Sequence, residues 1–184
     1  MTCIIGYVAD DGRVLVGGDS VAAAYPDVST IANKKVFRFQ NMLIGYTSSF
    51  RMGQLLEFGL TMPEYAEPQT PYEYMVKTFV PEVRRVLKDG GFTTVNNNTE
   101  DGGQFIVGFA SCIFEVQNDF AVIRYRERFC AVGCGYAFAM GALRLMNEFS
   151  DIHRDDEKKI LAALEIAGHF STVRPPYYVL EVTS

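Results

Sequence analysis

The residues best suited to do chemistry stand at the start of the chain. Thr2 and Cys3 carry a hydroxyl and a thiol, and an apolar run begins directly after them at Ile4. A Thr hydroxyl is a weak nucleophile at its free pKa and needs an adjacent base, and a free α-amine on the same residue can be that base. This chemistry requires the nucleophile to be the first residue of the mature chain, so Met1 has to be removed before Thr2 can act.

A carboxylate and a cation follow at spacings that suit such a nucleophile. Asp11-Gly12 predicts a turn, and the second apolar run ends in Asp19, so a hairpin would bring Asp19 under the start of the chain. Lys35 comes sixteen residues after Asp19. A cation at that place would lower the pKa of a neighbouring hydroxyl or ammonium group. Lys34 is predicted to point the other way, because neighbouring strand residues alternate.

Two later segments complete the pattern. An apolar strand-like run over 43–46 leads into Thr47-Ser48-Ser49, and another leads into Gly133-Cys134-Gly135 before a predicted helix. Each segment is weak evidence alone. Taken in order from Thr2 to about Leu143, the set resembles the proteasome β-subunit superfamily, and within it the HslV-like peptidases of the N-terminal nucleophile (Ntn) hydrolases.

The resemblance implies a threonine-type peptidase and a role for each matching residue. Thr2 would be the nucleophile, with Asp19 and Lys35 setting the local electric field. The backbone N–H of Ser48 would stabilise the oxyanion, and Cys134 would line the side of the terminal amine. The family pattern has Gly and Ser, respectively, where this chain has Ser48 and Cys134.

The spacing leaves a second nucleophile open. The family places its Asp sixteen residues after the nucleophile, whereas Asp19 follows Thr2 by seventeen and Cys3 by sixteen. An extra residue in the turn over 9–12 would account for the difference, because hairpin loops tolerate insertions. A Met-Thr start also suits methionine removal, so Thr2 is favoured over Cys3.

Two other functions also remain open. A catalytically inactive assembly or binding subunit is motivated by Met1, which blocks the Thr2 amine while it is attached, and by the departures at Ser48 and Cys134. An Ntn amidase that acts on small amides, including one that uses Cys3, is the other alternative. Tyr46 stands beside the predicted oxyanion position, where its ring would restrict large substrate side chains.

Composition excludes several classes of protein. The 184 residues suffice for one domain, 1–184, with a sizeable core, and the net charge of −5 with 17 Lys and Arg gives no basic footprint for nucleic acid. The uncharged stretch Phe129–Leu143 is too short to span a bilayer, so no membrane association is predicted. The four cysteines lack a paired spacing, which favours the reduced cytoplasm. His153 and His169 have no Cys or His at metal-ligand spacing, so neither a metal nor a cofactor is predicted.

The predicted elements form blocks of strands and blocks of helices, which favours layered α+β packing. The resemblance specifies the arrangement as an αββα sandwich of four layers. The predicted strands are 3–9, 13–19, 36–40, 42–47, 104–110, 112–117, 119–124, 128–132 and 177–182. The predicted helices are 51–60, 72–88 with an interruption at Pro81, 136–148 and 154–169. The three-proline segment 61–71 and the Asn-rich segment 90–103 are predicted to be irregular.

The resemblance also implies which partners the protein has. Subunits of this family work in rings, so a homo-oligomer, a ring or a dimer, is expected, with peptide or protein as substrate. An ATPase unfoldase is a compatible partner, although no residue specifies one. Residues 51–66 are more apolar than an exposed segment usually is, and they are the predicted contact between copies.

Overall fold

The computed structural model describes residues 2–24, 27–62, 65, 69–149 and 155–183. The strands are β1 Cys3–Val8, β2 Val14–Asp19, β3 Val21–Ala24, β4 Asp27–Thr30, β5 Val36–Phe39, β6 Met42–Tyr46, β7 Thr94–Asn96, β8 Thr99–Asp101, β9 Phe105–Phe109, β10 Cys112–Val116, β11 Val122–Arg124, β12 Phe129–Gly133 and β13 Tyr177–Val182. The helices are α1 Phe50–Gly59, α2 Pro71–Tyr74, α3 Val80–Asp89, α4 Tyr136–Glu148 and α5 Asp156–Phe170, with a π-helical turn over Met75–Phe79.

Two antiparallel sheets form the centre of the molecule. One has the strand order β12-β1-β2-β13 and the other β11-β10-β9-β6-β5. Helices α4 and α5 cover the outer face of the first sheet, and α1 and α3 cover the outer face of the second. Side chains from both sheets meet between them in a third apolar cluster. The predicted α+β fold and its αββα layering are confirmed.

The layering explains why β1 is apolar at almost every position. Cys3 and Ile5 pack toward α4 and α5, whereas Ile4 packs between the two sheets. Successive strand residues point to opposite faces, so a strand covered on both faces is apolar without alternation.

Two segments differ from the sequence prediction. The interval 90–103, predicted to be irregular, contains the β7–β8 hairpin, whose turn places Asn97 and Asn98 at positive φ. Asn tolerates that conformation better than most residues, so the Asn-rich stretch is a turn signal. The β3–β4 hairpin was not predicted at all. Residues 63–64 and 66–68 of the proline-rich segment and His153 lie outside the described residues.

The predicted interruption at Pro81 is a local change in helix type. Helical structure runs without a gap from Pro71 to Asp89, and the π-helical turn lies just before Pro81. Val80 donates its N–H to the Met75 carbonyl, five residues back. Proline has no N–H to donate, so the helix changes its bonding pattern there instead of ending.

Among the helices of the described segments, none combines the length and the apolar character that crossing a bilayer requires.

Candidate active site

Three of the predicted site residues are in direct contact. The Lys35 ammonium donates a hydrogen bond to Thr2 Oγ1 at 2.7 Å and another to Asp19 Oδ2 at 2.9 Å. Thr2 is 5% exposed, Lys35 2% and Asp19 0%. Lys35 therefore joins the hydroxyl to a buried carboxylate.

The strand arrangement makes this contact possible. Thr2 precedes β1 and Asp19 ends β2, its neighbour in the first sheet, whereas Lys35 directly precedes β5 in the second sheet. The Lys35 carbonyl accepts a hydrogen bond from the Tyr46 N–H at 2.9 Å, which fixes its backbone beside β6. The polar contact thus connects the two sheets.

Cys3 lies on the other face of its strand. Its N–H donates to Asp19 Oδ1 at 3.0 Å, but its side chain is fully buried in the cluster beneath α4 and α5. Burial, and then the negative charge of Asp19, raise the pKa of the Cys3 thiol well above its ordinary range. The thiol is therefore held in its protonated, poorly nucleophilic form.

The ladder between β1 and β2 shows where the chain between Thr2 and Asp19 can hold one residue more than the family pattern has. Pairing is continuous from Ile4–Gly18 to Val8–Val14, without a bulge. Any extra residue must therefore lie in the loop 9–13, where the Ala9 N–H donates to the Arg13 carbonyl at 2.9 Å.

Burial also acts on Lys35. Removal from water lowers the pKa of its ammonium below the ordinary value, and the attraction of Asp19 opposes that shift. The Lys35 Nζ also lies 5.9 Å from the centre of the Phe50 ring. The site thus contains a cation that gives up a proton more readily than an exposed Lys does.

Ser48 lines the same cavity as Thr2. The cavity has a volume of about 360 Å³ and is also lined by Lys35, Thr47 and Phe50. Ser48 has φ of +64°, a left-handed conformation that Gly adopts at less cost. The Gly of the family pattern suits this conformation, and here Ser adopts it.

A second and larger cavity lies next to the first. Its volume is about 1000 Å³, and apolar residues of β5 and α1 line much of it. Tyr46 and Phe50 belong to the walls of both cavities. The Tyr46 ring lies against Gly53 of α1, where a Cβ would come within 2.2 Å of the ring.

Cys134 is exposed, and its sulfur lies 3.8 Å from the Thr172 hydroxyl. The adjacent Gly133 pairs with Cys3 in the β12–β1 ladder and has φ of +94°. A Cβ on Gly133 would lie 2.1 Å from the Thr2 carbonyl oxygen, so the segment before α4 passes directly beside the start of the chain.

Gln104 contacts the site and was not identified from the sequence. Its N–H donates to Ser48 Oγ at 3.2 Å, and its carbonyl accepts from the Thr47 N–H at 3.2 Å. No motif distinguishes a Gln after two glycines, so only the tertiary structure associates it with Ser48. Within the described ranges, no group of three or more His, Cys, Asp or Glu side chains is arranged to hold a metal ion.

Comparison with known proteins gives a consistent picture of the fold. The sequence matches no protein-family model, and it has no significant match among curated proteins. Two solved structures of Thiobacillus denitrificans BPH, one of them in complex with epoxomicin, are 18% identical to it with a TM-score of 0.80. Each alignment covers 99% of this chain. It covers 98% of the BPH chain in the complex with epoxomicin and 97% of the BPH chain in the other structure.

HslV from Trypanosoma brucei is 20% identical to this chain with a TM-score of 0.66, and the alignment covers 97% of this chain and 98% of HslV. The chain thus has the fold of the Ntn hydrolases. Within that class, its fold is of the proteasome-like, HslV-like type.

Proposed function

We propose that the protein is a threonine-type peptidase in which Thr2, once Met1 has been removed, is the nucleophile. The observation that supports this most directly is the 2.7 Å contact between Lys35 Nζ and Thr2 Oγ1. A structural Thr at the edge of a strand has no need of a buried ammonium that is itself paired with a buried carboxylate. Perturbed ionisable groups clustered in a cavity are typical of functional sites.

The reaction follows from this arrangement. The free Thr2 amine, acting through water, accepts the hydroxyl proton as Thr2 Oγ attacks the carbonyl carbon of a peptide bond. The carbonyl oxygen becomes an oxyanion, which the Ser48 N–H stabilises. The peptide C–N bond breaks, the leaving amine takes up the proton, and an ester with Thr2 remains. Water then hydrolyses this ester and restores the hydroxyl.

The cavities are compatible with a peptide substrate. The smaller one holds Thr2 and Ser48, and the larger one, which shares Tyr46 and Phe50 with it, offers apolar volume for a substrate side chain. The structurally similar BPH was solved in complex with epoxomicin, so epoxomicin is a suitable probe of this cavity.

Variants at the two adjacent positions test the nucleophile. Thr2→Ala removes the attacking oxygen and is expected to abolish turnover of small fluorogenic peptides without a change in the circular dichroism spectrum. Cys3→Ala is the matched control, because its thiol lies on the opposite face, and it is expected to retain turnover. The reverse result, loss in Cys3→Ala and unchanged activity in Thr2→Ala, would place the nucleophile one residue later.

Intact mass distinguishes the peptidase from an inactive assembly or binding subunit. Protein from its native host is expected to lack the mass of one methionine, and an electrophile that reacts with both the hydroxyl and the amine of an N-terminal Thr should label it once. Full retention of Met1 would rule out the N-terminal amine mechanism. An amidase that uses Cys3 is disfavoured by the burial of that thiol.

A further inference from the structure

The segment Thr47-Ser48-Ser49 forms a tight turn in an uncommon conformation. The Ser49 N–H donates to the Thr47 carbonyl at 2.7 Å, across Ser48, whose φ is +64°. A three-residue turn with positive φ at its centre is rare and strained. For a residue with a Cβ the cost is on the order of 1 kcal/mol or more, and such a conformation persists only where the surroundings hold it.

Gln104 forms two hydrogen bonds that hold this turn. Its N–H bonds to Ser48 Oγ and its carbonyl to the Thr47 N–H, each at 3.2 Å. Gln104 precedes β9, and the next residue, Phe105, pairs with Tyr46 at the end of the ladder between β6 and β9. The main chain of Gln104 thus extends the sheet by one residue and binds the turn at two points.

Glu115 fixes the side chain of Gln104. The Gln104 amide donates to Glu115 Oε1 at 2.8 Å, and the Tyr125 hydroxyl donates to Glu115 Oε2 at 2.6 Å. Glu115 is 3% exposed, and Gln117 also donates to its Oε1 at 3.3 Å. Hydrogen bonds to a carboxylate are stronger than those between neutral groups, so a buried Glu115 is a firm anchor.

We propose that Gln104 is a positioning residue for the reaction: anchored by Glu115, it holds Ser48 in the left-handed conformation and so keeps its N–H in one orientation in the cavity that contains Thr2. The role in catalysis rests on the proposed function. Holding the turn does not, and it can be measured separately.

Kinetics of single variants give the first test. Gln104→Ala removes the anchored amide and is expected to lower kcat about tenfold while KM stays within about twofold, because a misplaced oxyanion donor affects the transition state more than the bound substrate. Gln117→Ala is the matched control, since Gln117 contacts Glu115 and not the turn, and it should change kcat by less than about twofold. Equal losses in the two variants would overturn the proposal.

A second substitution separates positioning from general stability. Glycine adopts positive φ without a clamp, so in the Ser48→Gly background the further change Gln104→Ala should lower kcat by less than about twofold. If the tenfold loss persists in that background, Gln104 acts in some other way than through the conformation of residue 48.

Amide hydrogen exchange tests the clamp without any catalysis. The Ser49 N–H should exchange at least about tenfold faster in Gln104→Ala than in wild type, and at an unchanged rate in Gln117→Ala, because exchange reports local opening. Unchanged exchange of Ser49 in Gln104→Ala would refute the clamp. A wild-type protein that hydrolyses nothing would refute the proposed function alone. Gln104→Met keeps the aliphatic stem, and it replaces Gln104→Ala with the same expectations if the latter does not fold.

Discussion

At the scale of single residues, Lys35 is the group on which the site depends. It is buried, and it bonds to the hydroxyl of Thr2, the proposed nucleophile, and to a carboxylate that balances its charge. Taking an ammonium out of water is costly, and the Asp19 partner offsets that cost only while both are present. The removal of either one leaves a single buried charge.

Substitution of Lys35 should therefore affect both activity and stability. Lys35→Met is expected to abolish peptide turnover and to lower the free energy of unfolding by about 3 kcal/mol, because Asp19 remains buried without its cation. Urea unfolding and a peptide assay measure the two effects. Lys34→Met is the control, because Lys34 is exposed and loses only its contact with the Tyr178 ring, so it should cost at most about 1 kcal/mol.

The double variant Lys35→Met with Asp19→Asn then separates the two roles. It removes both charges, so most of the lost stability should return while turnover remains absent. Turnover in either variant at more than a few per cent of wild type would show that the ammonium is dispensable for the reaction.

At the scale of elements, the close approach of β12 to the start of β1 constrains the segment that leads into α4. The chain leaves β12 through Gly133, turns at Cys134, and enters α4 at Tyr136. The positive φ of Gly133 and its contact with the Thr2 carbonyl leave no room for a side chain. Backbone geometry thus requires Gly at position 133, whatever Cys134 contributes.

Alanine at two glycines tests this requirement. Gly133→Ala should lower the free energy of unfolding by about 3 kcal/mol, because strain from positive φ adds to a clash with the backbone of Thr2. Gly141→Ala is the matched control: it lies within α4, and a Cβ there meets nothing within 4 Å. It should stabilise the protein by about 0.5–1 kcal/mol, because Ala favours helix over Gly. Equal thermal stability of the two variants would contradict this reading of Gly133.

At the scale of the whole molecule, α1 leaves apolar surface uncovered beside the larger cavity. Phe58 is 80% exposed and Phe50 is 36% exposed, whereas Met52 and Leu56 on the same helix are buried. Exposed aromatic side chains on one helix are typical of contacts between proteins. The prediction of a homo-oligomer through residues 51–66 applies to this face.

Light scattering of wild type and two variants tests the assembly. Wild type at micromolar concentration should have a mass well above the 20.6 kDa of one chain. Phe58→Ser should shift the mass toward one chain, whereas Phe170→Ser, at a side chain 66% exposed on α5, should not. Dissociation by Phe170→Ser alone would place the contact on the α4–α5 layer, and a monomeric wild type would contradict the prediction as a whole.

The sequence by itself determined the α+β class of the fold and predicted that Thr2, Asp19 and Lys35 meet at one site. Apolar runs bounded by turn residues predicted most strands, and blocks of strands and helices predicted α+β layers. The ordered residues Thr2, Asp19 and Lys35 predicted a polar contact that the fold then brings together. Such information is local or depends on spacing along the chain, so it can be read without knowing which strands are neighbours.

Only the tertiary structure decided which groups face one another. The spacing to Asp19 allowed either Thr2 or Cys3 as the nucleophile. In the structure, side chains alternate along β1, so the Cys3 side chain packs toward α5, whereas Lys35 of the other sheet bonds to Thr2. Gln104 and Glu115 belong to no sequence motif. Gln104 contacts both Ser48 and Glu115 because β6, β9 and β10 lie side by side. Contacts between strands distant in sequence depend on sheet order and register, and neither is encoded in any one segment.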